Sequence, residues 1–135
     1  MNERDNAFQP ITPGKIENAV AFLQEIESLP SDQISKPGRD PFDVDYDPIV
    51  WNLMRTFEQN GFVQPYDWGK WQPQAERIFQ DPKLLEPADL DTCIKLITLH
   101  VRKDRFCSGH FGAMVRCGHI AAILRRLDML RKTLS

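Results

Sequence analysis

The stretch Leu90-Asp91-Thr92-Cys93-Ile94-Lys95-Leu96-Ile97-Thr98-Leu99-His100-Val101 decides the fold. Leu90, Cys93, Ile94, Ile97 and Val101 recur at i, i+3, i+4, i+7 and i+11, which puts them on one face of an α-helix. Leu96 and Leu99 add a second apolar side. A helix that is apolar on more than one face belongs in the middle of a core. The segment is therefore expected to start near Pro87 and to form the central helix, around which the rest of the chain packs.

Downstream, this helix runs into Arg102-Lys103-Asp104-Arg105, and Ser108-Gly109 reads as a turn. A short helix with Phe111, Met114 and Val115 follows and stops at Gly118. A final helix carries Ile120, Ile123, Leu124, Leu127 and Leu130. Arg125, Arg126, Arg131 and Lys132 lie off its apolar stripe, the last two where the helix dipole favours cations.

Upstream, Asp67 opens a segment with Trp68, Trp71, Ala75, Ile78 and Phe79 that ends at Asp81-Pro82; Pro73 predicts a break or kink inside it. Asp47-Pro48 is a cap followed by a proline suited to the first helical turn. It starts a stripe of Ile49, Val50, Leu53 and Phe57 that Asn60-Gly61 terminates. Residues 31–46 contain Pro37, Gly38 and Pro41 and read as a long loop without regular structure. Thr12-Pro13 begins a first helix, expected to run to Ser28. No segment alternates with period two between hairpin turns. The reading is a compact all-α domain of five to six helices over residues 12–135, behind a tail at 1–11, with a long Pro-containing loop between the first two helices.

At 135 residues, 41% hydrophobic and 27% charged, the chain is long enough to bury a core without help from a metal or disulfide. No apolar run reaches the roughly 18 residues needed to span a bilayer. Met1 to Pro10 is polar and mixed in charge, unlike a signal peptide. Three cysteines suit reduced thiols in a cytoplasm better than a disulfide framework. The net charge of −2 is unevenly spread: nine Lys/Arg against two Asp/Glu from Ile94 onward, and eight against seventeen before it. Either the two halves face each other, or the basic half meets an anionic partner.

The most distinctive motif is Arg102-x-x-Arg105-Phe106-Cys107-x-Gly109, followed by Gly118-x-Ile120 and Ile123-Leu124-Arg125-Arg126-Leu127. In this R-x-x-R-F-C-x-G box and terminal I-L-R-R-L helix, the chain resembles an uncharacterised bacterial domain-of-unknown-function family. The resemblance implies a helical bacterial protein and brings no activity, substrate or cofactor.

Several candidate sites follow from the residues. Arg102 and Arg105 carry guanidinium forks suited to a carboxylate or phosphate, and Gly109 opens the next helix. With Cys107 and His110 they would make a small anionic-ligand or enzymatic pocket. The structural reading of the same box is that Asp104 and Arg105 fix the turn and Phe106 plugs the core. Cys107, His110, Cys117 and His119 are four N/S side chains, but their spacing is wrong for a zinc finger. A Cys107 nucleophile with His110 as base lacks visible oxyanion donors. Asp43, Asp45 and Asp47 have the rhythm of a calcium loop, but Pro48 replaces the required glycine and Met54 the final glutamate.

Residues 111–127 loosely suggest a helix-turn-helix. The recognition position would carry Ile120, Ala121 and Ala122, which offer no base-edge donors, leaving Arg125 and Arg126 for phosphates alone. Trp68 and Trp71 pack in the core or form a partner-facing patch. The function expected is a non-enzymatic helical module that binds a partner protein or self-associates. No catalytic set, metal or cofactor is expected, and nucleic acid binding is at most weak.

Overall fold

The computed structural model describes residues 10–38 and 44–134. The tail over residues 1–9, Pro41 of the loop and Asp43 of the acidic run lie outside them. Each of the six expected helices is present, the first in two pieces.

Thr12 caps α1 (Pro13–Val20) by accepting from the Lys15 N–H. The first helix was expected to reach Ser28 unbroken. Instead the Phe22 N–H bonds to the Ala19 carbonyl, a tighter i−3 turn, and the helix restarts as α2 (Leu23–Ser28).

The loop expected to lack regular structure contains a 3₁₀ turn at Ser31–Gln33 and a small antiparallel hairpin. Its strands are β1 (Ser35–Pro37) and β2 (Val44–Tyr46), with Ser35 opposite Tyr46. Three residues are too few to show alternation in sequence. The pairing is fixed by packing, since Ile34 and Tyr46 are buried in the core.

Asp47 caps α3 (Pro48–Gln59) through the Ile49 N–H, and Val50, Leu53, Met54 and Phe57 form its buried face. α4 (Trp68–Gln80) was expected to break at Pro73, yet it continues through it. Both Pro73 and Gly69, whose carbonyl loses its partner, are exposed, so the free acceptor is not buried.

A 3₁₀ turn at Pro82–Leu85 leads to Asp89, which caps α5 (Leu90–Lys103). The start is Leu90 rather than Pro87, because it is the Asp89 carboxylate that receives the Thr92 N–H. α5 is buried from Leu96 through Val101, as expected for the central helix. It packs against α4, α6 (His110–Arg116) and α7 (His119–Leu134), and α1 lies along α7.

Thr98, buried within α5, donates to the Phe62 carbonyl and accepts from the Gln64 N–H, which ties the 60–66 connection to the core. Among the described residues no helix is long and apolar enough to cross a membrane.

Candidate functional site

The end of α5 is where the chain's distinctive motif lies, and there the structure reassigns its residues. Asp104 is the organising one. Its Oδ1 accepts the Tyr46 hydroxyl at 2.5 Å and the Phe111 N–H at 2.9 Å, and the Tyr46 oxygen in turn accepts the Gly112 N–H at 3.0 Å. Burial first, and the bond to Asp104 second, push the Tyr46 hydroxyl well above the ordinary phenol range, so it stays a donor. The network joins β2, the end of α5 and the start of α6.

Two glycines make this approach possible. Gly109 takes φ of 90°, where a side chain is strained, and a Cβ on Gly112 would stand 2.6 Å from the Tyr46 ring.

Phe106 does not plug the core. It is 76% exposed and lies against the half-buried Trp68, with ring centroids 6.0 Å apart. The sequence of the turn places it outward: Lys103 and Arg102 carbonyls already receive the backbone N–H groups of residues 105–107, so the chain curls back before reaching the interior. Trp71 is half-buried against the core.

Arg105 does not fix the turn either; it is exposed and forms no pair with Asp104. Arg105, Cys107 and His110 do not converge, and Arg102 is half-buried and does not line the cleft that Arg105 lines. Cys107 is exposed, whereas the His110 ring turns inward to His100, with Nε2 2.9 Å from His100 Nδ1. Cys117 is exposed too, so the four N/S side chains do not assemble. Among the described residues no group of three or more His, Cys, Asp or Glu is placed to hold a metal ion.

Arg105 instead lines an open cleft of about 420 Å³ between α3, β2 and the 104–109 turn. Asp104, Ser108 and Gly109 share this wall; Tyr46, Trp51 and Arg55 form the opposite one. A second cleft of about 680 Å³ runs along the hairpin and shares Tyr46, Trp51 and Arg55 with the first. Trp51 is 40% exposed, and its ring tilts over Tyr46 at 5.0 Å. Among the described residues neither Arg55 nor Arg105 makes a side-chain hydrogen bond or ion pair.

Sequence reasoning missed Tyr46, Trp51 and Arg55. A signal was present: Trp51, Arg55 and Glu58 are spaced i, i+4 and i+7, on a face of α3 beside its apolar stripe.

The basic α7 is engaged internally. Arg125 pairs with Glu27 at 3.2 Å, Arg126 Nε donates to the Ala88 carbonyl at 2.7 Å, and Arg131 bridges Glu17 and Asp128. The acidic and basic halves thus face each other. Ile120 and Ala121, at the position a recognition helix would present to DNA, are buried.

Fold and cleft together define a small all-α protein with a polar and aromatic cleft at one end of its central helix. The chain belongs to DUF6508, a family of unknown function, which matches residues 14–133. No curated protein and no solved structure matches it.

Proposed function

We propose that the chain is a non-catalytic binding module that takes an anionic group of a partner protein into the Trp51–Arg55–Arg105 cleft. One observation carries the reading: two arginines without a partner flank a half-exposed tryptophan in a cavity, while the arginines of α7 are engaged, two by carboxylates and Arg126 by a backbone carbonyl. Guanidinium forks match carboxylate and phosphate geometry, and tryptophan and arginine are the side chains that dominate binding interfaces. The Tyr46–Asp104 pair on the cleft walls is spent on structure, since the hydroxyl is held as a donor and the carboxylate also accepts the Phe111 N–H, so neither is free to start turnover. A small free anion is the second reading, favoured by a volume within the range of ligand pockets.

Native mass spectrometry of gently purified protein, wild type beside the double variant Arg55→Ala/Arg105→Ala, tests both. A carried protein or second copy lost in the variant supports the first reading, and a carried small anion lost in the variant supports the second. Identical spectra, with nothing bound to either, would overturn both. We further propose that the module works in a reducing bacterial cytosol, where Cys93, Cys107 and Cys117 stay thiols. Burial supports this for Cys93 by pushing its thiol up to about 12. A titration of unreduced protein finding fewer than three free thiols would count against that location.

A further inference from the structure

All three histidines of the chain meet at one place in the core. His100 comes from α5, His110 from the start of α6 and His119 from the start of α7. His100 and His119 are only 3% and 9% exposed. His100 Nδ1 lies 2.9 Å from His110 Nε2, and the two rings tilt by 30°. The His119 ring stands edge-on to His100 at 5.0 Å and edge-on to Phe79 of α4 at 5.3 Å. Four helices therefore meet through imidazoles. Among the described residues, Nε2 of His100 and Nε2 of His119 are buried with no hydrogen-bond partner.

This geometry admits neutral rings and resists protons. The 2.9 Å contact between His100 and His110 needs one N–H and one bare nitrogen. If the bare nitrogen takes a proton, two N–H groups face each other and the bond is lost. A second proton on the His100 or His119 ring would instead put a positive charge in the core beside a buried Nε2 that has no hydrogen-bond partner. A second charge in the cluster repels the first across about 5 Å.

The neighbouring charges do not relieve this for the cluster as a whole. Lys103, at the end of α5, disfavours charge on His100 and His110, and Asp104 favours it on His110 alone. From α4 the cluster meets the uncharged Phe79, and the charge bearing on His119 is that of His110. Burial, then the neighbouring rings and Lys103, hold His100 well below the ordinary imidazole range. Burial and Lys103 lower His110, and His119 is brought to about 4.

We propose that the three histidines form an acid-released latch. While neutral they hold α6 and the 104–112 turn onto α5 and α7; proton uptake frees that corner while the rest of the helical core stays folded. α6 is the element to leave, because it is seven residues long and its start is held by His110 and by the two bonds into the Tyr46–Asp104 network.

The sign follows from linkage. Each histidine binds a proton more weakly in the latched state than in the open one. The latch is therefore at full strength above the ordinary imidazole value of about 6.5 and weakens as pH falls below it. Each proton taken up on opening multiplies the opening constant about tenfold per pH unit. The latch follows from the histidine geometry whether or not the cleft holds a partner.

The test is amide hydrogen exchange by NMR on the full chain, from roughly pH 7.5 to 5, with the imidazole resonances followed in the same samples. After correction for intrinsic exchange, the Phe111, Gly112 and Val115 amides are expected to lose protection more than tenfold per pH unit once the pH is below about 6.5. Leu53, Leu96 and Leu124 should keep theirs over the same range. Histidines that titrate near 6.5 with the Phe111 and Gly112 amides still protected would overturn the proposal, as would loss of protection at all six amides together. His110→Gln keeps an amide nitrogen in reach of His100 and removes one titrating ring. It is expected to reduce the pH dependence by one proton, about tenfold less change per unit, and an unchanged dependence would overturn the proposal. If that variant does not fold, the wild-type exchange pattern decides alone.

Discussion

Residues 102–105 and 125–131 are both arginine-rich runs interrupted by an aspartate, and the fold uses them in opposite ways. In the second run the arginines hold the structure: Arg125 reaches α2, Arg126 the Ala88 carbonyl and Arg131 α1. In the first run the aspartate holds the structure, with Tyr46 and the α6 backbone bound to Asp104, while Arg105 stands free at the cleft. Charge counted in a sequence is therefore not charge available to a partner. What decides is whether a complementary group lies within reach once the helices pack, and α7 lies along α1 whereas the 102–105 run ends its helix at an open edge.

The contrast breaks if Asp104 is dispensable. Asp104→Ala removes the acceptor of two hydrogen bonds, one from a largely desolvated phenol, and is expected to cost on the order of 3 kcal/mol by urea denaturation. Asp104→Asn keeps an Oδ1 that accepts both, and should recover more than half of that loss if geometry rather than charge is what counts. A second strike on the same network, Gly112→Ala, drives a methyl group to 2.6 Å from the Tyr46 ring. Overpacking of this kind costs about 2 kcal/mol. Loss below about 0.5 kcal/mol in both variants would mean that the turn is held by something other than this network.

The second run is weaker per residue. Arg126→Ala leaves the Ala88 carbonyl, in a buried residue, without its charged donor, and about 1.5 kcal/mol is expected. Arg125→Ala breaks a pair whose side chains are each about half exposed, so solvent screening limits it to about 0.5 kcal/mol. An order reversed between these two would show that the cross-half ion pair, not the carbonyl anchor, seats α7.

Most of the fold was legible because the helices announce themselves by an apolar stripe and several by a cap as well. Thr12, Asp47 and Asp67 accept the backbone N–H their positions promise, and the stripe of α5 is buried as read although its cap, Asp89, was not picked out. What escaped depends on partners far along the chain. The hairpin is held by Tyr46, whose partners Asp104 and Gly112 lie about 60 residues away, and nothing local marks them as neighbours. Phe106 was assigned to the interior by its hydrophobicity alone, and the tight turn at 104–107 carries it outside. At the site the sequence gets Arg105, Asp104 and Gly109 to the cleft wall but groups them with Cys107 and His110, which are near in number and directed elsewhere. Histidines 100, 110 and 119 show the same limit: the spacing of ten and nine hides a single cluster, because two turns of chain between helices bring them back together.

The smallest stability effect expected is also the most informative. Arg105→Ala removes an exposed side chain that pairs with nothing among the described residues, so stability should change by less than about 0.5 kcal/mol. Arg55→Ala, on the facing wall, should behave alike for the same reason. Lysine at either position keeps the charge and loses the planar fork. If the cleft grips a carboxylate or phosphate by paired N–H donors, Arg105→Lys will bind the partner recovered with wild type nearly as poorly as Arg105→Ala, with both still folded as the parent. If it only offers positive potential, Arg105→Lys will bind like wild type and the difference will fade with salt. A destabilised Arg105→Ala would erase the contrast between the two arginine runs, since the first would then hold structure just as the second does.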